Sequence, residues 1–535
     1  MWHQPLAPLN SLALSALAAG LPIIVVLVLM GGLRKSGAIS AAGGLATALL
    51  LAALVWRMPV HLATLSVAYG FAYSLWPILW LVFAGLWLYT LCVDTGKFEL
   101  LRRWMEERAS GDARLQAILV AFCFGALLEG TAGFGAPVAI AAFLLVGLGF
   151  SARRAVTVSL IANTAPVAFG GLGIPIVALS AVTGLDLMKL SAMAGRQVPF
   201  LSLILPAYLV WVLAGMKGLR ETWPVALVGG GSFAAAQFAA ANFWGPYATD
   251  VVAALISTAV VVTFLRRWKP VGAVPDSIGM GGNPSLPAKH KLSLGESLAA
   301  WTPWVLLAAV MIAWSYFHLA QVAQKTIAVP GLHNAVYITL YQKPYAALFQ
   351  LQPLAVGTAG AVATLLTALL FHVRPSVVLG SGLKTLRQLR KPGLTVCLIV
   401  GLAYLYNYSG MAYTLGAALA GMGRLFPLVS GYLGWVACFL SGSDTASNLL
   451  FGNLQVAAAH QIGVSPILLA ATNSSSAVTG KMISPQNIAV GVTTVGLIGR
   501  EGEVLRTTFW HSLALAFFLS LLAFLQAYWL KWMVP

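Results

Sequence analysis

GALLEGTAGFGAPVAI, residues 125–140, sets a carboxylate (Glu129), three glycines after it and then a proline inside a long apolar run. An acid at the centre of a membrane helix costs about 2.5–3.5 kcal/mol on insertion scales. The glycines and the proline break the helix and free backbone N–H and C=O groups. Such groups survive at membrane depth only inside protein or around a cavity. The stretch reads as half of a binding site built on a broken helix.

Composition supports the membrane setting. The 535-residue chain is 59% hydrophobic and 8% charged, where soluble chains carry about 25% charged residues. Its mean hydropathy is +0.87. Many runs reach the ~20 apolar residues of a bilayer span, without the alternation of a barrel strand. The fold expected is an all-α polytopic membrane protein of about 12–14 transmembrane helices. The net charge of +17 does not point to nucleic acid. The positives cluster between spans (Arg34 and Lys35, Arg102 to Arg114, Arg266 to Lys269, Arg374 to Lys391), as in cytoplasmic loops. With those loops inside, the N-terminus lies outside. The first apolar run has no basic residue before it and reads as a retained span. The four cysteines show no metal-like spacing, and neither a metal nor a cofactor is expected.

Residues 1–268 form a first transmembrane half, 269–296 a Gly/Pro-rich cytoplasmic linker, and 297–535 a second half. KFELLRRWMEERASGDAR (97–114) has the spacing of an interfacial amphipathic helix, and AVYITLY (335–341) that of a strand or loop. The halves share an order of landmarks. Glu129, Phe134-Gly135, Gly149-Phe150-Ser151, Asn163, Gly170 and Pro175 run parallel to Asp444, Phe451-Gly452, Gly463-Val464-Ser465, Asn473, Gly480 and Pro485. Asn-to-Gly is seven residues and Gly-to-Pro five in both. Repeats that place broken helices at matching positions mark secondary-transporter sites. Two inverted repeats with discontinuous helices and re-entrant hairpins are therefore expected, their acids meeting near the midplane.

Most of the 14 acidic residues fall in loops or at span ends, where Asp186 and Asp250 suit helix caps. Glu129 and Asp444 alone sit deep in apolar sequence. SGSDTASNLLFGNLQ (441–455) rings Asp444 with Ser443, Thr445 and further polar groups. TNSSSAVTGKMISPQN (472–487) carries Asn473, Ser474, Ser475 and a rare cation, Lys481. Helix–helix hydrogen bonding and an interfacial lysine are the plainer readings. Motifs for ATP hydrolysis, zinc peptidases and serine hydrolases are absent.

At LLEGTAGFGAPVAI, FLSGSDTASNLLFGNLQ and ATNSSSAVTGKMISPQNIAV the chain resembles the lactate permease family of bacterial inner-membrane carriers. The resemblance implies inward transport of L-lactate, D-lactate or glycolate with a proton across the plasma membrane. The physical chemistry of the motifs agrees. Lys481 and helix N-termini suit a carboxylate. Ser443, Thr445, Asn163, Asn473, Ser474, Ser475 and the backbone at Gly133 and Gly135 suit the rest of a 2-hydroxy monocarboxylate. A membrane acid can carry the proton, and Glu129 is favoured over Asp444 because Asp444 shares its half with Lys481. The partners expected are the substrate, a proton and lipid. Alternatives are a sodium-coupled organic anion carrier, a pore, and a membrane hydrolase using Ser474–Ser476 with His460.

Overall fold

The computed structural model describes residues 1–33, 35–108, 112–133, 136–270 and 292–535. Most of the expected linker (271–291) and Gly135 lie outside the described residues. Among the described residues, nine helices are long and apolar enough to cross a membrane, or ten with the bent pair Ala152–Ala162 and Val167–Thr183, kinked by 66°. Four more apolar helices are shorter, among them Pro137–Gly147 and Thr249–Leu265. The longest continuous run, Leu187–Phe243 (57 residues), is interrupted at Gly215, whose φ of +65° is non-helical. At 1.5 Å per residue it is far too long for one crossing, and the break divides it into passes.

Each half contains a helix–break–helix hairpin followed by a second broken helix. In the first half, Ala113–Thr131 ends at Gly133 (φ +57°) and Ala136–Gly147 leads back. Ala152–Ala162 then unwinds over residues 163–166 before Gly170–Thr183. In the second half, Phe426–Ser441 turns at Gly442 (φ +70°) into Asp444–Ile462, and Pro466–Lys481 breaks before Pro485–Thr494. Glycine serves at both turns because a left-handed φ is costly for other residues.

The two hairpins enter from opposite faces. Helix Glu501–Tyr528, 28 residues or about 42 Å long, spans the molecule. At its start, Glu503 pairs with Arg153 (3.9 Å), beside the base of the first hairpin. At its end, the Tyr528 hydroxyl donates to the Arg424 carbonyl (3.0 Å), at the base of the second. The repeats are therefore inverted. The acids are not equivalents within them, since Glu129 precedes its hairpin turn and Asp444 follows its own.

One local expectation changes, and two gain detail. The basic segment 374–391 is the first half of a 35-residue helix, Pro375–Ser409, rather than a loop. Pro375 seats at its first turn, where the missing N–H costs nothing. Helix Lys97–Arg108 is amphipathic, but it lies against protein: Trp104 meets Trp301 edge to face, and the Leu292 N–H donates to Glu107 (2.8 Å). Within 335–341, Val336–Ile338 is a strand, pairing in parallel with Trp2–His3 and antiparallel with Lys343–Pro344.

Helices of the second half approach closely through small residues. A Cβ on Gly434 would sit 2.2 Å from the Asn473 carbonyl, and one on Gly480 would sit 2.3 Å from that of Trp435. Backbone-to-backbone packing of this kind replaces the hydrophobic drive that lipid cannot supply.

Candidate functional site

The four breaks converge on one cavity of about 60 Å³. Glu129 and Gly133 come from the first hairpin, and Val167, Gly170, Gly171, Ile174 and Pro175 from the second break. Gly442, Ser443, Asp444 and Thr445 come from the other hairpin, and Lys481 from the last break. That volume is above the ~10–15 Å³ a single water needs, so the cavity is small but open to a solute.

Glu129 and Lys481 are both buried and joined by an ion pair, Lys481 Nζ donating to Glu129 Oε1 at 2.6 Å. The Asn163 side-chain amide donates to Glu129 Oε2 (3.1 Å). The lysine thus pairs across the repeats, 352 residues away in sequence, and not with the acid of its own half. That removes the reason for preferring Glu129 that rested on Lys481 sharing a half with Asp444. Gly170 is the residue that admits this carboxylate: a Cβ there would lie 2.6 Å from Glu129 Oε1. On the same loop, Gly171, Leu172 and Gly173 all take positive φ, and the leucine among them carries real backbone strain.

Asp444 is also buried. Its Oδ2 accepts from the Ser474 hydroxyl (2.7 Å), while Oδ1 has no hydrogen-bond partner among the described residues. Ser443 caps the helix that begins at Asp444, its hydroxyl accepting from the Ala446 N–H (3.3 Å). The N-terminal turns of Asp444–Ile462 and Gly170–Thr183 thereby line the cavity, and the positive ends of their dipoles favour an anion there. Among the described residues, no group of three or more His, Cys, Asp or Glu is placed to hold a metal ion.

Of the residues singled out in the sequence, Glu129, Gly133, Ser443, Asp444, Thr445 and Lys481 line the cavity. Asn163 and Ser474 hold the two acids from behind. Asn473 and Ser475 do not line it. The Asn473 amide donates to Asn448 (3.0 Å) and Ser447 (3.3 Å) and accepts from Gln455, stitching two helices together. The sequence reading missed the glycine wall, although the run GGLGIP (170–175) could have signalled it. It also missed Asp250. That residue does not cap its helix, whose N-cap is Ala248, and is instead buried against the first hairpin. Asp186 does act as a cap, accepting from the Lys189 N–H (2.8 Å).

A second cavity of about 590 Å³ adjoins the first, sharing Ile174, Gly442, Ser443 and Thr445. It reaches the exposed residues Ser36, Lys391 and Gln486. The site therefore communicates with the face that carries Lys391. The hydrolase arrangement is not built. His460, in the last turn of Asp444–Ile462, meets Tyr341 edge to face (5.0 Å between rings). Ser474 bonds Asp444 at the opposite end of that helix, about 24 Å away along its axis.

The family model described as L-lactate permease matches residues 15–530. Glycolate permease GlcA of Escherichia coli (strain K12) is 42% identical, covering 98% of both chains. L-lactate permease of the same strain is 41% identical, and that of Bacillus subtilis (strain 168) is 40% identical, each covering the whole of both chains. Among solved structures, the YdaH transporter of Alcanivorax borkumensis aligns over 86% of both chains, with 14% identity and a TM-score of 0.45.

Proposed function

The chain belongs to the L-lactate permease family, and on that premise we propose that it imports lactate or glycolate together with a proton across a bacterial plasma membrane. The observation that carries this reading is the buried Lys481–Glu129 pair lining a small polar cavity. An incoming substrate carboxylate is the natural competitor for Lys481. When it takes the lysine, Glu129 is left as a buried, unpaired carboxylate, a costly state. Taking up a proton removes that cost. The site then holds one lysine cation and one substrate anion where it held one lysine cation and one glutamate anion. One monoanion and one proton cross together, without net charge.

Asp444 is the second acid of the coupling site. Its free Oδ1, flanked by Ser443 and Thr445, is suited to the substrate 2-hydroxyl. Asn163 and Ser474 hold the two carboxylates in place. The basic face bearing Arg153, Lys391 and Arg500 is cytoplasmic on the positive-inside rule, which puts the N-terminus in the periplasm. The larger cavity is then the inner vestibule through which substrate leaves.

Proteoliposomes test this directly. Uptake of labelled lactate and glycolate is measured with an imposed pH gradient, with an imposed sodium gradient, and with neither. Proton symport predicts accumulation with the pH gradient alone. Accumulation that follows sodium and ignores pH would instead make this a sodium-coupled carrier.

A further inference from the structure

A third acid lies beside the site. Asp250, in the first turn of Thr249–Leu265, is 1% exposed. Its Oδ1 accepts from the Gln237 amide (2.9 Å), and its Oδ2 has no hydrogen-bond partner among the described residues. It is packed on the Glu129 turn: a Cβ on Gly130 would lie 3.1 Å from the Asp250 Cβ. Gln237 also donates to the carbonyl of Ala165 (3.2 Å), in the unwound segment that follows Asn163. Asp250 therefore packs on the element that carries Glu129 and is tied through Gln237 to the one that holds it, from outside the substrate cavity.

Among the described residues, no cation is bonded to this carboxyl. Helix Ala113–Thr131 presents Glu129, within electrostatic reach, Cys123, which contacts Ser257, and at its far end Arg114, about 24 Å along the axis from Gly130 and paired with Asp112 and Glu221. Tyr247 lies just before the helix. Helix Gly170–Thr183 has no titratable side chain. In Val198–Phe243 the charged residues nearest Gln237 are Lys217, Arg220 and Glu221, the last about 24 Å along the axis. Leu294–Tyr316 offers Glu296 and Tyr316, at its two ends. A buried carboxyl with one amide donor and no cation is the setting of a proton-holding acid.

We propose that Asp250 is a second proton-holding carboxyl of the carrier, exchanging a proton with Glu129 behind the substrate cavity. An O–H bond on Asp250 breaks as one forms on Glu129, and the reverse resets the pair. The proton is drawn from water on one face and released to water on the other. The proposal rests on the proton-symport reading above.

The test compares pH-driven net uptake of lactate with lactate–lactate exchange in proteoliposomes of wild type, Asp250→Asn and Asp250→Glu. In Asp250→Asn, net uptake should fall at least ~10-fold more than exchange does. Asp250→Glu should restore net uptake, with its pH midpoint moved by about one unit. Wild-type net uptake with an unchanged pH profile in Asp250→Asn would overturn the proposal. A wild type that ignores the pH gradient would instead refute proton symport itself, and this proposal with it. If Asp250→Asn does not fold, infrared difference spectra between pH values decide. The proposal requires a titrating carboxyl band that persists in the Glu129→Gln, Asp444→Asn double variant, and its absence overturns it.

Discussion

Lys481 is the residue on which the charge accounting turns, because its ammonium serves either Glu129 or the substrate. Lys481→Ala should lower lactate affinity at least ~30-fold, the loss expected on truncating one partner of a buried charge pair. Lys481→Arg should retain part of it. The alanine variant should also be less stable, since Glu129 is left without its cation. Adding Glu129→Gln should restore thermal stability in detergent but not lactate binding. If binding returned as well, Lys481 would be only a structural partner of Glu129. Sequence alone exposed Glu129, Asp444 and Lys481, because an ionisable group in an apolar run has no inexpensive explanation. It did not expose which acid holds the lysine, because that contact spans 352 residues. Asp250 escaped notice for a different reason. An acid at the start of an apolar helix looks like a cap, and nothing local reveals that Gln237 and Gly130 cover it.

At the scale of elements, the breaks were legible from glycine and proline spacing, and the inversion was expected from the matched landmarks. Their geometric register was not: glycine turns at residues 133 and 442 put Glu129 and Asp444 on opposite arms. Two glycines give distinct predictions. Gly434→Ala drives a methyl to 2.2 Å from the backbone oxygen of Asn473. It should destabilise the protein by about 1–3 kcal/mol, read as a lowered melting temperature. Gly170→Ala meets the Glu129 side chain first, its Oε1 at 2.6 Å and its Cγ at 3.1 Å, rather than backbone. It should leave the protein folded while displacing that carboxylate and depressing transport. A folded Gly170→Ala with wild-type uptake would show that the Glu129 position is not critical. The basic segment 374–391, the first half of helix Pro375–Ser409, was misread as a loop, because charge density masks helical propensity when arginine, lysine and leucine are themselves good helix formers.

For the whole molecule, inverted hairpins meet at one small cavity with a vestibule to one face, as the proposed carrier requires. Sidedness is checked with Lys391→Cys, in a background lacking the native cysteines. A membrane-impermeant thiol reagent should modify it in inside-out vesicles and not in right-side-out ones, since Lys391 lines the vestibule. The opposite labelling would invert the topology. The central claim is that substrate and Glu129 alternate on Lys481, so that Glu129 takes up a proton for each anion carried. Glu129→Gln tests it most directly, because the amide mimics the protonated acid and cannot exchange a proton. In proteoliposomes, accumulation of lactate driven by a pH gradient should collapse while exchange of internal for external lactate persists. Full pH-driven accumulation by Glu129→Gln would contradict the account.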